Sequence, residues 1–132
     1  MKVLLLDTDE LRRMRICNLV KMIGKNCEVI EAESLAELDD WLNAERPFDL
    51  ALVGPNIPET PIDVVRFLRR RFPDSYVSAY DSFLAYDEIR LRRILLAGAN
   101  MVFDDRMAPL KIALLLRPML MGEAPAPSML SA

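Results

Sequence analysis

Short apolar runs alternate along this chain with longer segments in which apolar residues recur at helical spacing. The clearest apolar runs cover residues 2–6 and 48–53, and the clearest helical segment covers residues 9–23. Parallel strands need a long crossover, usually a helix, so this alternation is typical of a parallel sheet with helices on both faces. We therefore predict an α/β fold.

The whole pattern predicts five strands and five helices in strict alternation. The predicted strands are 2–6, 28–31, 48–53, 76–79 and 100–103, and the predicted helices are 9–23, 34–44, 61–72, a segment that ends near residue 96, and 108–121. This order matches the flavodoxin-like doubly wound fold, a (βα)5 unit with a five-stranded parallel sheet in strand order 2-1-3-4-5. The polar strand 28–31 is predicted to lie at the sheet edge.

The helix boundaries carry recognisable signals. Asp9 is a candidate N-cap, Ser34 and Glu37 form a capping box, and Gly24 and Gly98 suit helix ends. In the first helix, the predicted buried face consists of Met14, Cys17, Val20 and Ile23. The 132 residues fit one domain over 1–121, and the Gly- and Pro-containing segment 122–132 is predicted to be a tail or the start of a linker.

Composition excludes several classes of function. A net charge of −3 gives no general attraction to nucleic acid, and no apolar run is long enough for a transmembrane helix. Cys17 and Cys27 are the only cysteines and histidine is absent, so the chain has too few ligands for a zinc site. We expect reduced thiols, a cytoplasmic protein, and no cofactor, metal, membrane or nucleic-acid partner.

The stretch from Asp49 to Pro58 ends the third predicted strand and resembles the phosphoacceptor strand of response-regulator receiver domains. In that family the strand ends in a nucleophilic aspartate and a proline follows four residues later. Pro58 matches the proline, but Gly54 stands at the nucleophile position. Glycine has no side chain to accept a phosphoryl group.

Three other strand ends depart from the same family pattern. Asp7 matches the first acid of the pair that holds magnesium, and Thr8 replaces the second acid. Tyr80 stands where receivers carry a serine or threonine. Asp105 replaces the lysine that pairs with the phosphoryl group, shortly after an Ala-Gly-Ala stretch at 97–99 that also resembles the family. The resemblance therefore implies a degenerate pseudo-receiver, which is not an enzyme.

Receivers also carry an aromatic residue in the fifth strand that rotates when the hydroxyl residue moves, and Val102 occupies that position. A large Tyr80 with a small Val102 has two interpretations. One is a size exchange, in which the tyrosine ring permanently fills space that is switchable elsewhere in the family. The other is independent drift at two core positions.

The fifth helix is apolar nearly all round, which predicts that part of it faces a partner. By resemblance, the fourth helix, fifth strand and fifth helix form the output face, which would bind a protein partner or a second copy as a homodimer. We place this face on Ile94, Val102, Leu115, Leu116 and Met119, and leave Ile112 without an assignment. Leu115 or Leu116, together with Met119, is expected to point outward. The alternative is that these residues only cover the sheet.

Two alternative functions use other residues. Some receiver-like proteins bind cyclic dinucleotides through arginines, and the third and fourth helices are rich in them: Arg66, Arg69, Arg70, Arg71, Arg90, Arg92 and Arg93. The simpler interpretation is a solvated face balanced by acidic residues. Asp7 and Asp9 also resemble the first motif of haloacid-dehalogenase-type phosphatases, in which the first aspartate attacks phosphate. Our preferred hypothesis remains a phosphorylation-independent receiver that acts as a protein-interaction module in bacterial signal transduction or transcription regulation.

Overall fold

The computed structural model describes residues 1–24, 26–44, 48–82 and 87–124, and these form an α/β structure. Strands and helices alternate along the chain: β1 (Lys2–Leu6), α1 (Glu10–Ile23), β2 (Glu28–Ala32), α2 (Asp39–Asn43), β3 (Leu50–Val53), α3 (Pro61–Arg71), β4 (Tyr76–Asp81), α4 (Glu88–Ala97), β5 (Met101–Asp104) and α5 (Pro109–Leu120). The five strands are parallel in the order β2-β1-β3-β4-β5. The predicted flavodoxin-like topology and the edge position of the second strand are confirmed.

Alternating residues of the strands supply two separate cores, one on each face of the sheet. Leu4, Ala51 and Val77 pack against α2, α3 and α4, whereas Leu5 and Leu52 pack against α1 and α5. Successive side chains of a strand point to opposite faces, so a sheet covered on both sides needs apolar residues at nearly every position. This requirement explains why the central strands read as continuous apolar runs.

The predicted helix signals are formed, with one difference in α2. The Asp9 carboxylate accepts a hydrogen bond from the Arg12 backbone N–H at 3.0 Å and caps α1. The Ser34 hydroxyl oxygen accepts from the Glu37 N–H at 3.2 Å, as the capping box requires. The first turn beyond it is a 3₁₀ turn, Ala36–Leu38, and α2 follows it as one short α-helical segment.

Two details of the predicted elements are wrong. Met14 was assigned to the buried face of α1 but is half exposed, because Ile16 and Leu19 take the inward positions instead. Strand β4 extends to Asp81, so Tyr80 lies within the strand and not after it.

Both cysteines pack against the α1–α5 core, and burial raises the pKa of each thiol.

Beyond α5 the chain turns at Gly122 and returns to the sheet. Ala124 packs against the α1–α5 core, and its carbonyl accepts a hydrogen bond from the Tyr76 hydroxyl at 2.8 Å. The rest of the predicted tail, residues 125–132, lies outside the described residues. Within the described residues, no helix is long and apolar enough to cross a membrane.

Candidate functional site at the carboxyl edge of the sheet

The carboxyl ends of the three central strands bring Asp7, Gly54 and Tyr80 together. Leu6 is paired with Val53, and Val53 with Ala79, so the residue that follows each of them falls at the same edge. Ligand and catalytic sites of doubly wound sheets lie at this edge. Three of the positions that sequence reasoning singled out therefore meet in one site.

The Asp7 side chain is fully buried and is held by four hydrogen bonds. The Arg12 guanidinium donates through Nε to Oδ2 at 2.7 Å and through Nη2 to Oδ1 at 3.0 Å. The Asp9 backbone N–H donates to Oδ1 at 2.9 Å, and the Tyr80 hydroxyl donates to Oδ2 at 2.7 Å. Two carboxylate oxygens offer about four acceptor positions, so Asp7 is saturated by the protein itself.

These contacts keep Asp7 ionised in spite of its burial. Burial alone would raise its pKa, but the hydrogen bonds from Arg12, the Asp9 N–H and Tyr80 together hold the pKa below its ordinary value. The hydrogen bond to Asp7 raises the pKa of Arg12. Burial, with the Asp7 charge nearby, raises the pKa of Tyr80, which therefore remains a neutral donor. The three side chains form one internally neutralised cluster.

Gly54 lies so close to Asp7 that it has no room for a side chain. A Cβ atom built on Gly54 would be 2.8 Å from the Leu6 carbonyl oxygen and 2.9 Å from both Cγ and Oδ2 of Asp7. Neither neighbour can move easily, because one is sheet backbone and the other is fixed by four hydrogen bonds. The space that an acceptor aspartate would use is occupied by the Asp7 carboxylate.

The Tyr80 ring is buried on the α1–α5 side of the sheet. It stacks on Phe103, with ring centroids 5.5 Å apart, and the Arg12 guanidinium carbon lies 6.0 Å from its centroid. Val102 packs in the opposite core, against the α2–α4 side. The proposed size exchange between Tyr80 and Val102 is therefore wrong, since the sheet separates the two side chains. Tyr80 instead serves as a hydrogen-bond donor to Asp7.

Thr8 and Asp9 lie at the start of α1 and have structural contacts. The exposed Thr8 hydroxyl donates to the Asn56 carbonyl and so ties the β1 end to the loop after β3. Asp9 is the α1 cap described above. In the phosphatase interpretation Asp7 would attack phosphate, but here it is inaccessible and has no free acceptor position. The geometry therefore disfavours that alternative.

Asp105 is buried in a second polar cluster at the same edge. Its carboxylate accepts from the Ser82 hydroxyl at 2.8 Å and lies 3.2 Å from Nη2 of Arg15. The neighbouring Asp81 carboxylate contacts the Arg90 guanidinium. Asp105 thus joins the ends of β4 and β5 to α1, and it adds a second buried carboxylate at this edge of the sheet.

The residues do not fit the magnesium ion that the resemblance implies. Magnesium prefers an octahedral set of oxygen ligands, with carboxylates supplying the charge. Asp7 already uses both oxygens, Thr8 has no carboxylate, and Gly54 has no side chain. The positive charge beside Asp7 comes from Arg12. Within the described residues, no group of three or more acidic or Cys residues is placed to hold a metal ion.

Five of the seven arginines of α3 and α4 already have partners within the protein. Arg69 points inward and donates to the carbonyls of Gly98 at 2.9 Å and Ser75 at 2.7 Å. Arg71 donates to the Leu42 carbonyl at 3.1 Å. Arg66 and Arg92 each form an ion pair with an acidic residue of their own helix, Asp63 and Glu88 respectively. These contacts favour the interpretation of a solvated, balanced face over a dinucleotide site.

The fifth helix is rotated differently from the sequence-based prediction. Ile112, Leu116 and Met119 are buried in the core, and Ile94 of α4 is buried as well. The expectation that Met119 points outward is therefore wrong, and of the alternatives Leu115 and Leu116 it is Leu116 that is buried. Leu115 is partly exposed as predicted, and the other outward apolar residues of this region are Leu110, Leu114 and Met121.

Sequence reasoning missed the two arginines that define the site, Arg12 and Arg15. The helical pattern shows only that both lie off the predicted buried face of α1. An available signal was their position in the first turns of a helix that starts at the sheet edge, immediately after Asp7. A cation there can reach a carboxylate at the end of the preceding strand.

The solved structures that match this fold include response regulators and their receiver domains. A response regulator from Thermotoga maritima matches with a TM-score of 0.77 and 18% identity, over 91% of this chain and 97% of that one. A LuxR family DNA-binding response regulator from Silicibacter pomeroyi matches with a TM-score of 0.76 and 24% identity, over 93% of each chain. An orphan response regulator of H. pylori, HP1043, matches with a TM-score of 0.73 and 16% identity, over 91% of this chain and 96% of that one.

No protein-family model and no curated protein matches the sequence. Identities this low establish the fold without establishing a shared chemistry. The chain has the receiver-domain fold of two-component response regulators.

Proposed function

We propose that this chain is a phosphorylation-independent receiver domain that acts as a protein-interaction module in bacterial signal transduction or transcription regulation. The observation that carries the proposal is the close contact between Gly54 and Asp7, with a Cβ-to-Oδ2 distance of 2.9 Å for any side chain at position 54. The position lacks a nucleophile, and its space is filled by a residue that the domain needs for its own stability.

The other contacts of the site support the same conclusion. In a switchable receiver, a cation and a hydroxyl must be free to meet the phosphoryl group. Here Arg12 and Tyr80 are both committed to Asp7, and Asp105 is committed to Arg15 and Ser82. A set of buried groups that satisfy one another favours a single conformation. The proposed domain is constitutive, and it has no catalytic step of its own.

An interaction role is supported by the apolar surface of the helices. Leu95 and Leu96 of α4 and Leu115 of α5 are exposed on the predicted output side of the domain. Helices α4 and α5 pack on opposite faces of the sheet beside the edge strand β5, so in this proposal the three side chains flank that edge; exposed apolar patches are typical of contact sites. We therefore retain the α4–β5–α5 face as a candidate contact for a protein partner or a second copy, with these residues in place of Leu116 and Met119.

The test is intact mass after incubation with acetyl phosphate and magnesium, with a standard receiver as the positive control for the reagent. We expect no added phosphoryl group. A Gly54→Asp variant is expected to remain unmodified and to lose stability, because the new carboxylate overlaps Asp7. Stable, stoichiometric phosphorylation of the wild-type chain would refute the proposal.

A further inference from the structure

Helices α1 and α5 lie side by side on one face of the sheet and leave an apolar groove between them. The groove has a volume of about 310 Å³, and Met22, Leu110, Leu114, Arg117 and Met121 are among its lining residues. Leu114 is 59% exposed and Leu110 is 71% exposed. From Leu110 to Met121 the groove follows roughly 16 Å of helix. This length corresponds to about three turns of a helix lying along it.

The same two helices carry an excess of positive charge. Their one acidic residue, Glu10, lies in the first turn of α1. Their basic residues are Arg12, Arg13, Arg15, Lys21, Lys111 and Arg117. Carboxylates of neighbouring elements pair with the three arginines of α1. For Lys21, Lys111 and Arg117 there is no ion-pair partner among residues 1–24, 26–44, 48–82 and 87–124.

This charge pattern argues against a second copy as the occupant. In a two-fold dimer the same patch of each subunit meets itself, and this patch contains no carboxylate, so Arg117 of each copy would meet only apolar side chains or another arginine. Like charges placed together across an interface weaken it. A partner with carboxylates along its flanks would instead pair with Arg117, which lines the groove and has no carboxylate partner in the described structure.

We propose that the groove between α1 and α5 binds an amphipathic helical segment of a partner protein, with apolar residues on one face and carboxylates along the flanks. The proposal rests on the proposed interaction role and adds to the α4–β5–α5 face a second contact surface, with a partner of stated chemistry. Helix-in-groove binding uses apolar anchors at i, i+3, i+4 and i+7, which suits the length of the groove. Met22 and Met121 supply flexible, polarisable side chains that adapt to different anchors.

The experiment is an NMR titration of the ¹⁵N-labelled chain with a synthetic helical peptide of about 20 residues that carries leucine anchors at this spacing and flanking glutamates. The comparison peptide has lysine in place of each glutamate. We expect saturable binding of the acidic peptide, with shifts confined to α1 and α5, and weaker binding at raised NaCl concentration. The lysine peptide is expected to bind more weakly.

Matched variants locate the contact. Leu114→Glu is expected to reduce affinity about tenfold or more, because it places a charge within the apolar contact. Ile89→Glu is the control: Ile89 is 69% exposed and lies in the first turn of α4, outside both proposed contact surfaces, so the affinity should not change. Arg117→Glu is expected to weaken binding of the acidic peptide roughly fivefold and to strengthen binding of the lysine peptide. Circular dichroism checks that each variant is folded.

Several outcomes would overturn the inference. One is equal binding of the two peptides, and another is a set of NMR shift changes centred on α3 and α4. A third is a dimer of the free chain that Leu114→Glu abolishes. The fourth is binding to anionic phosphatidylglycerol vesicles in place of the peptide, again abolished by Leu114→Glu. Failure of this inference leaves the intact-mass result unchanged. Conversely, phosphorylation by acetyl phosphate would refute the proposed function even if the acidic peptide bound.

Discussion

Replacement of Arg12 by methionine tests whether this arginine holds the site together. The variant removes the two guanidinium hydrogen bonds to Asp7, at 2.7 and 3.0 Å, and leaves a fully buried carboxylate with the Asp9 N–H and the Tyr80 hydroxyl as donors. Breaking a buried ion pair on one side typically costs about 3–5 kcal/mol. The Arg12 side chain is 12% exposed, so water can partly replace it. We expect the free energy of unfolding to fall by about 2–4 kcal/mol.

The assay is chemical denaturation followed by circular dichroism, supported by thermal unfolding. For a domain of this size, the loss corresponds to a fall in Tm of roughly 8–15 °C. The matched control is the same substitution in an Asp7→Asn background, where no carboxylate is left unpaired. There we expect Arg12→Met to cost about 1 kcal/mol or less.

The pH dependence gives a sharper test of the same reasoning. In the wild type the pKa of Asp7 is lowered, so its contribution to stability is present at neutral pH and is lost as the pH falls below about 4. Without Arg12, burial dominates and the pKa of Asp7 rises above its unfolded value. The deficit of the variant should then shrink as the pH falls from 7 towards the unfolded pKa of about 4. A deficit that is independent of pH, or equal in the Asp7→Asn background, would refute the role assigned to Arg12.

Three further predictions address other parts of the structure. Tyr80→Phe should lower the free energy of unfolding by about 1–2 kcal/mol at pH 7. Because the pKa of Tyr80 is raised in the folded state, the wild type should also lose stability more steeply than the variant above pH 10. Chemical denaturation that gives parallel plots of stability against pH for the two proteins would contradict this. Arg69→Met should lower the free energy of unfolding by roughly 2–3 kcal/mol, because Arg69 donates hydrogen bonds to carbonyls of the segments after α3 and α4. Arg70 is exposed, so Arg70→Met should change that free energy by no more than about 0.5 kcal/mol. Equal unfolding midpoints for the two variants would show that Arg69 is not structural. Calorimetric titration should detect at most weak magnesium binding. Micromolar affinity would show that the ion displaces Arg12 from the Asp7 carboxylate.

The element order and the sheet topology could be predicted because they depend on local patterns. Apolar runs, caps such as Asp9 and Ser34, and breakers such as Pro61 act within a few residues, and the right-handed crossover rule limits the possible topologies. The short α2 and the extension of β4 to Asp81 were missed, since strand ends depend on pairing with neighbours. Asp81 pairs with Asp104 of β5, a long-range partner that local patterning does not specify.

The orientation of α5 about its own axis could not be predicted, because its sequence does not show which side faces the core. A helix with a polar stripe shows which side faces solvent, whereas α5 is apolar on every side. Contacts with α1 and the sheet then decide that Leu116 is buried and that Leu114, which was not expected to be outward, is exposed. The surface proposed here as a docking groove therefore follows from tertiary packing.

The sequence by itself determined that position 54, which the receiver resemblance aligns with the acceptor aspartate, offers no nucleophile, because a missing side chain needs no coordinates to be recognised. Only the tertiary structure decided why glycine is required there. Asp7 and Gly54 lie on neighbouring strands, Arg12 reaches back from the following helix, and Tyr80 reaches Asp7 from β4. These contacts join residues far apart in the chain, and their geometry is fixed by strand register and by the packing of α1 on the sheet.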